Sequence, residues 1–260
     1  YDRLGQTISP FLLLDYAAPY QFDPTTVQHG VGSHPHRGFE TVTIAYQGEV
    51  THKDSSGGGG TIQAGDVQWM TAGAGILHQE FHSPEFAEKG GLFEMAQLWV
   101  NLPAHAKMTA AGYQAIVSDQ IQTIQLDDAG SQLRVIAGQY QDVDGAATTF
   151  SPVNVWDGTV VEGQNHSFYV TEGHTTLFVL LSGEVILNDS QTITAPSMVV
   201  LSREGIDFNV QAQHDSKFLI LMGLPLNEPI EGYGPFVMNS KAEIMEAVQD
   251  FNHGKFGVMD

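Results

Sequence analysis

Short runs of β-branched and aromatic residues recur along the chain, and clusters of Gly, Pro, Asn and Asp separate them. The runs read FETVTIAY, GDVQWMT, QLWVNL, LRVIAG, TLFVLL, SMVVL, DFNVQ and FLILMG. Runs of this composition between turn residues predict β-strands. Their spacing predicts an all-β fold built from barrels or sandwiches.

One segment near the end has a helical pattern instead. The stretch SKAEIMEAVQDFNHG begins with Ser240, which forms a capping-box pattern with Glu243, and Gly254 is a stop signal. Three apolar residues share one helical face: Ile244, Val248 and Phe251. We therefore predict a C-terminal amphipathic α-helix that docks by this face as a structural cap.

The chain also contains an internal repeat. TVTIAYQGEV at 41–50 and TLFVLLSGEV at 176–185 each run from an apolar strand into Gly-Glu-Val. Downstream, AGDVQWMTAGAGILHQEF at 64–81 has a counterpart in APSMVVLSREGIDFNV at 195–210. A repeat of this length predicts two related β domains.

We place the domain boundary between Asp127 and Leu133. This gives an N-terminal domain at 1–130 and a C-terminal domain, with the terminal helix, at 131–260. The stretch SSGGGG at 55–60 has the composition of a linker. Because the strand pattern resumes immediately after it, we interpret it as a hairpin connection inside the first domain.

Composition limits the classes of function. Ten Lys and Arg residues face thirty Asp and Glu residues, so the formal net charge is -20 at pH 7. This field repels phosphate, so we predict no direct nucleic-acid binding, and any regulatory role has to act through a protein partner. Cysteine is absent, which excludes disulfides and thiolate metal sites. A tightly held metal must therefore use His and carboxylate ligands.

The chain carries no signal for a membrane. No apolar run approaches the roughly 20 residues that span a bilayer, and no basic region followed by an apolar stretch opens the sequence. With 42% hydrophobic residues, the chain has ample material for a buried core. We predict a soluble, cytoplasmic protein that does not contact a membrane.

Candidate metal ligands begin in GSHPHRGFE, at 32–40. Alternate residues of a strand point to the same face, so His34 and His36 could aim at one point. Pro35 between them cannot donate to a sheet ladder, and it indicates a strand start at a barrel mouth. Taken alone, this pair is more typical of a solvated loop than of a ligand pair.

A second pair changes this interpretation. In GILHQEF, His78 and Glu80 are again two residues apart and would share one face of a strand. Two such pairs on facing strands would supply three imidazoles and one carboxylate to one cation. This donor set favours Fe, Mn, Ni, Cu or Zn over Ca and Mg. It leaves positions open for water, substrate or dioxygen, as in a catalytic or ligand-sensing site.

The second repeat lacks these residues. In our alignment, three residues of the first motif, His34, His36 and Glu40, lie opposite Tyr169, Thr171 and Thr175. His78 and Glu80 lie opposite Phe208 and Val210. Histidines that served the fold would be needed in both copies. Their confinement to one copy indicates a task that the protein performs once.

These motifs resemble the pirin family of the cupin superfamily. The resemblance is carried by PFLLLDY at 10–16 and by HPHRGFETVTIAYQGEVTHKDSSGGGGTIQAGDVQWMTAGAGILHQEF. It implies a bicupin whose N-terminal barrel binds iron and whose C-terminal barrel does not. The family's metal ligands match His34, His36, His78 and Glu80. The usual Pro-x-Gly of cupins is Thr71-Ala72-Gly73 here, and the carboxylate ligand is Glu80 instead of Glu40; pirins share both departures.

The resemblance implies quercetin 2,3-dioxygenase activity on a small aromatic substrate such as a flavonol. Fe(II) is then the expected cofactor, with Mn, Ni, Cu or Zn as alternatives. Glu80 would take the proton from the substrate's 3-hydroxyl, and ring opening would release carbon monoxide. A second hypothesis is a non-enzymatic, redox-sensing regulator that acts through a protein partner. A third is an isomerase that uses zinc or manganese.

Several other residues near the motifs have weaker interpretations. Glu40 is expected beside the ligands or at the surface, and His52 is expected to be a solvated hairpin residue. His82 either reaches the pocket rim or lies outside it. Four apolar residues could line the pocket or belong to the core: Trp69, Met70, Phe93 and Met95.

Overall fold

The computed structural model describes residues 4–259, so positions 1–3 and 260, at the outer ends of the two predicted domains, lie outside the described residues. Antiparallel β-strands dominate the described chain, which divides into two compact units. No helix within residues 4–259 is long and apolar enough to cross a membrane.

The first unit contains two antiparallel sheets. Its strands are β1 (Phe11–Phe22), β2 (Gly30–His36), β3 (Phe39–Gln47), β4 (Val50–Asp54), β5 (Gly59–Ile62), β6 (Val67–Thr71), β7 (Ile76–His82), β8 (Gly91–Asn101) and β9 (Gly112–Ile116). One sheet has the order β1-β8-β3-β6-β9, and the other has the order β2-β7-β4-β5. Strand β2, which carries the first two histidines, is therefore an edge strand.

The second unit repeats this plan. Its strands are β10 (Gln122–Gln125), β11 (Gln132–Ala137), β12 (Gln139–Tyr140), β13 (Val143–Asp144), β14 (Val153–Val160), β15 (Asn165–Tyr169), β16 (Thr175–Ser182), β17 (Glu184–Leu187), β18 (Gln191–Thr194), β19 (Ser197–Val200), β20 (Asp207–Ala212) and β21 (Ser216–Gly223). The larger sheet has the order β10-β11-β14-β21-β16-β19, and the smaller has the order β15-β20-β17-β18. Strands β12 and β13 form a separate small hairpin.

The remaining elements are a hairpin and three helices. The hairpin consists of β22 (Glu231–Tyr233) and β23 (Phe236–Met238), and the helices are α1 (Gly5–Ile8), α2 (Pro84–Lys89) and α3 (Lys241–Asn252). Two short 3-10 turns lie at Ala104–Ala106 and Ser118–Gln120.

The apolar runs of the sequence all lie on observed strands, so the all-β prediction is confirmed. The stretch at 55–60 joins β4 to β5 as a hairpin, also as predicted. The repeated Gly-Glu-Val turns match as well. Gly48 and Gly183 both have positive φ, 80° and 91°, which a residue with a Cβ atom rarely adopts.

The predicted terminal helix is confirmed as α3. The Ser240 hydroxyl caps it by accepting from the Glu243 backbone N–H, and the Glu243 carboxylate accepts from the Ser240 hydroxyl. The predicted apolar face takes part in docking: Ile244 and Val248 pack against the cluster of Phe236, Ala247 and Phe256. Ala247 and Asp250 are the most buried residues of the contact, and Phe251, at 38% exposure, lies at its edge.

The two compact units are not the two continuous segments of the chain that the sequence predicted. The first unit contains Phe11–Ser118 and also the segment from Asn227 onward, and the second contains Thr7–Pro10 and Asp119–Leu226. We call the segment 227–259 the tail. The sequence assigns it to the second domain, but the structure groups it with the first, because tail residues pack against Leu77 in β7.

The interiors of the two units differ in chemistry. In the second unit, one large apolar cluster joins both sheets and includes Trp156, Phe168, Phe178, Phe208 and Phe218. The described part of the first unit contains smaller apolar clusters, and it also buries polar side chains such as Glu40, His52, Gln68 and His78.

Strand register corrects one part of the repeat alignment. His34 lies opposite His78 in the β2–β7 pair, and Phe168 lies opposite Phe208 in the β15–β20 pair. With His78 matched to Phe208, the counterpart of His34 is Phe168, not Tyr169. Phe168 is fully buried and Tyr169 is 60% exposed, so the aligned residue points into the barrel. An aromatic ring thus occupies the second barrel where the first has a histidine.

We predict that Phe168→Ala lowers the free energy of unfolding by about 3–5 kcal/mol, because it leaves a cavity in this cluster. Urea denaturation followed by tryptophan fluorescence measures the change. Tyr169→Ala, at the exposed neighbouring position, is the matched control and should change stability by about 0.5 kcal/mol or less. Equal effects of the two substitutions would contradict the pairing of Phe168 with Phe208.

Candidate metal centre

Strands β2 and β7 bring three histidines together. His34 lies directly opposite His78, and His36 follows two residues later on the same face of β2. Pro35 pairs with Leu77 near the end of β2, not at the strand start that the sequence suggested. An edge strand tolerates this proline because one side of the strand has no ladder to maintain.

The three imidazoles form a compact cluster. His34, His36 and His78 each offer a ring nitrogen, and these nitrogens all lie within 4.8 Å of one another. His34 is half-buried, His36 is 4% exposed and His78 is fully buried. The cluster therefore lies inside the first unit and opens toward solvent on the His34 side.

The protonation of these rings suits metal binding. Burial lowers the pKa of His34, and burial together with the neighbouring His34 and His78 rings lowers the pKa of His36 to about 3. Both rings are therefore neutral near pH 7, which is the form that binds a metal. The His34 Nδ1–H donates to the Gly32 carbonyl at 2.8 Å, which leaves Nε2 as the free ligand atom.

The ring nitrogens of His78 are also available to bind a metal ion. This ring is fully buried, yet neither of its nitrogens has a well-formed hydrogen bond to the described protein groups. Its Nε2 atom lies 3.3 Å from Glu80 Oε2. A buried imidazole in this state is costly, and a cation at this cluster would satisfy it. Three imidazoles fit Zn, Cu, Ni, Fe or Mn better than Ca or Mg.

Glu80 lies beside the cluster and is held by neighbouring side chains. Gln97 Nε2 in β8 donates to both carboxylate oxygens, at 2.9 and 3.2 Å, and the Thr43 hydroxyl in β3 lies 3.4 Å away. Gln97 Nε2 also lies 3.1 Å from Thr43 Oγ1. Burial alone would raise the pKa of Glu80, but the interactions with His78 and Gln97 outweigh it and lower the pKa to about 2. The carboxylate is therefore ionised and fixed in orientation.

Two aromatic side chains form a wall next to the histidines. The Phe39 and Trp99 rings stack at 4.3 Å, and they lie 5.2 and 5.5 Å from the His36 ring. Phe39 is buried, and Trp99 is half-buried. The wall thus presents a partly accessible flat surface beside the histidine cluster.

The four apolar residues that the sequence offered as pocket lining or core are buried to different degrees. Trp69 and Met70 are fully buried, and Phe93 belongs to an apolar cluster that Met95 packs against. Trp69, Met70 and Phe93 therefore serve the core, whereas Met95 is half-buried on the same face of β8 as Gln97. Phe39 and Trp99 were missed because nothing local distinguishes them from core aromatic residues.

Glu40 takes no part in the cluster. It is 1% exposed and accepts a hydrogen bond from the Thr71 hydroxyl at 2.7 Å. Burial raises its pKa to about 7. Since Glu40 and Thr43 lie an odd number of residues apart on β3, the Glu40 side chain points to the opposite face from the one that contacts Glu80. The prediction of a surface position for Glu40 is wrong.

His52 and His82 are both buried. His52 is 2% exposed, lies opposite Glu80 in the β4–β7 pair, and has its Nε2 atom 2.6 Å from the Tyr113 hydroxyl, so the solvated interpretation is wrong. Burial lowers the pKa of His52 to about 4. His82 packs on Phe93, with ring centroids 4.4 Å apart, in the aromatic cluster at the far end of β7.

The polar residues Thr43 and Gln97 escaped sequence reasoning, although a weak signal exists. Each lies between two apolar residues of its strand, Thr43 in VTI and Gln97 in AQL. In β8, alternate residues share the face turned toward the histidine cluster. Met95, Gln97 and Trp99 are half-buried on this face, and the residues between them are buried.

Comparison with known proteins identifies the family. A family model for pirin matches residues 2–100, and a model for the pirin C-terminal cupin domain matches residues 155–257. A Pseudomonas aeruginosa protein provisionally named quercetin 2,3-dioxygenase is 50% identical over 256 residues, which cover 98% of this chain and 89% of the relative.

Solved structures agree. The crystal structure of a quercetin 2,3-dioxygenase from Acinetobacter baumannii is 72% identical, with a TM-score of 0.98 over 100% of this chain and 90% of that one. A bacterial pirin from Escherichia coli, solved in complex with nickel(II), shares the fold at 21% identity, with a TM-score of 0.63 and coverage of 86% of each chain. The two-barrel architecture with a C-terminal helix is thus a pair of cupin domains, and the chain belongs to the pirin family.

Proposed function

We propose that this protein is a metal-dependent dioxygenase that opens the ring of a flavonol such as quercetin. The observation that carries this proposal is the set of three converging imidazoles with an ionised carboxylate beside them. His34, His36 and His78 would hold the ion, and Glu80 would be the fourth ligand or the base next to it. The names of two close relatives, from Pseudomonas and Acinetobacter, support the choice of substrate.

The ion that we propose is Fe(II). When bound, it supplies Lewis acidity and the one-electron chemistry that a reaction with dioxygen requires. One flavonol and one dioxygen are consumed, and one ring-opened ester and one carbon monoxide are released. The protein's own contribution is to orient the substrate and to accept its proton.

Glu80 is suited to take that proton. The carboxylate is ionised, and it lies at the centre where a flavonol hydroxyl would approach. Gln97 fixes its orientation by donating to both oxygens, so little reorganisation is needed when the proton arrives. A flat bicyclic ring would stack on the accessible side of Trp99, whose other face is backed by Phe39.

One prediction of this proposal concerns metal binding. His36→Ala and His78→Ala should each weaken Fe(II) binding by about 100-fold or more, because each removes an imidazole ligand that the buried site does not replace with solvent. Anaerobic equilibrium dialysis with elemental analysis measures the affinity. His214→Ala, at an exposed histidine of the second unit, is the control and should bind as the parent does. Unchanged binding by both ligand variants would contradict the site.

The second prediction concerns the reaction. The iron-loaded protein should consume dioxygen when quercetin is added, with carbon monoxide as a product. Glu80→Gln should lower kcat by about 100- to 10,000-fold, because an amide of nearly the same shape cannot accept the proton. An oxygen electrode and headspace analysis measure both quantities. If the iron form consumes no oxygen with quercetin, the dioxygenase proposal fails, and a regulator that acts through a protein partner becomes the leading hypothesis.

The third prediction tests the hold on Glu80. Gln97→Leu should lower kcat by about 10- to 100-fold while the metal content stays at the parent level, since it removes the donors that orient the carboxylate. Turnover per bound iron is the relevant measure. Gln47→Leu is the matched control, because Gln47 donates to a different carboxylate, Glu94, at 3.4 Å. A parent-like turnover number for Gln97→Leu would refute the orienting role.

A further inference from the structure

The tail covers the outer side of the strand pair that carries the histidines. Side chains alternate along β7, so His78 faces the cluster and Leu77 faces away from it. Leu77 packs against a small cluster made only of tail residues, namely Phe236, Ala247 and Phe256. The last part of the chain therefore lies directly behind the metal centre.

Arg37, the residue after His36, links the tail to both ligand strands. Its Nε–H donates to the Ala74 carbonyl at 2.6 Å, in the loop that leads into β7. Its Nη2 atom lies 2.9 Å from Asp250 Oδ2 in α3, and its guanidinium stacks on the Phe256 ring at 4.8 Å. The Arg37 side chain is 4% exposed, so these contacts are shielded from water.

The counter-ion of Arg37 is Asp250, which lies 213 positions further along the chain. Its other oxygen lies 2.6 Å from Lys255 Nζ, a side chain that is 64% exposed. Lys255 and then Arg37 hold the pKa of the Asp250 carboxyl below its usual range. The Arg37–Asp250 pair is buried and connects α3 to the end of β2. The Lys255–Asp250 pair lies at the surface, within the tail.

Backbone contacts reinforce the link at β2. The Arg37 N–H donates to the Pro235 carbonyl at 3.3 Å, and the Val237 N–H donates to the Arg37 carbonyl at 3.0 Å. The buried Lys107 ammonium donates to the carbonyls of Gly38 and Val237, both at 2.8 Å. Gly38 has φ of +88°, and a Cβ atom there would lie 2.0 Å from the Val237 carbonyl oxygen. Only glycine permits this approach.

A second connection reaches β7. The Ser55 hydroxyl donates to the Phe256 carbonyl and accepts from the Leu77 N–H at 3.0 Å. Gly75 lies just before β7, and a Cβ atom at this position would lie 2.4 Å from the Phe256 ring. The absence of a side chain therefore lets the ring pack here. The residue before His78 and the residue after His36 are thus both anchored to the tail.

We propose that the tail braces the metal centre, with Arg37 and Asp250 acting as positioning residues for His36 and His78. The brace is needed because β2 is an edge strand in which Pro35 has no N–H to donate. The β2–β7 pairing alone therefore fixes the end of β2 weakly, and the tail supplies the missing contacts. This inference rests on the proposed metal site, but not on the reaction.

The experiment uses Co²⁺ as the probe, because its visible spectrum reports the geometry of its ligands. Asp250→Asn keeps the shape of the side chain and removes the charge that Arg37 pairs with. We expect Co²⁺ binding to weaken tenfold or more, with a shifted visible spectrum, since altered support of metal ligands costs about 10- to 100-fold in affinity. Lys255→Met removes the exposed partner of the same carboxylate, and it should match the parent in affinity and spectrum.

Stability must be separated from positioning. Thermal denaturation of the metal-free variants sets the temperature for the titrations, well below unfolding. If Asp250→Asn melts earlier but binds Co²⁺ with the parent affinity and spectrum, the brace is only structural and the inference fails. If Asp250→Asn does not fold, Arg37→Lys is titrated instead; it keeps the charge but lacks the fork that reaches both Ala74 and Asp250. The same loss of affinity supports the brace, and parent-like binding overturns it.

The two proposals fail independently. Parent protein that binds Co²⁺ but, with iron, leaves quercetin and oxygen unconsumed would refute the dioxygenase and leave the brace intact. Active enzyme in which Asp250→Asn binds metal normally would refute the brace alone.

Discussion

The register of the β2–β7 pair is the constraint on which the rest of the site depends. It places His34 directly opposite His78 and, through alternation, turns His36 to the same side. A slip of β2 by one residue would turn its side chains over, so His34 and His36 would point away from His78. The irregularity between Val31 and His34 lies at the exposed end of β2, and the pairing is regular from His34 to His36.

The two barrels show two solutions for the same interior. The second barrel is filled by apolar side chains, among them four phenylalanine rings, which contribute stability through burial and need no hydrogen-bond partners. The first barrel also has a buried apolar core, but it buries imidazoles, a carboxylate and an amide in addition. Buried polar groups of this kind are costly unless each is paired. Glu80 is paired by Gln97, whereas the buried His78 ring has no well-formed hydrogen bond to the described protein groups and is available to an ion.

The sequence predicted the strands, the terminal helix and the histidine cluster because each has a local signature: alternation, a capping box, and two pairs of ligands at a spacing of two. The remaining features depend on distant parts of the chain. His52 looked solvated beside a glycine-rich turn, but Tyr113 on another strand buries it. Thr43 and Gln97 meet Glu80 only after three strands assemble. The alignment placed Tyr169 opposite His34 because it kept the offset between 41–50 and 176–185, and only strand pairing shows the shift to Phe168.

The grouping of the tail with the first unit has a consequence for how this protein is made. A ribosome releases the histidine-bearing strands early, then the whole second barrel, and only afterwards the residues that back those strands. The first barrel cannot reach its final form until the second has been synthesised, because α3 and Phe256 follow it in the chain. A metal ion that arrives earlier in translation therefore meets the histidines before their support is in place.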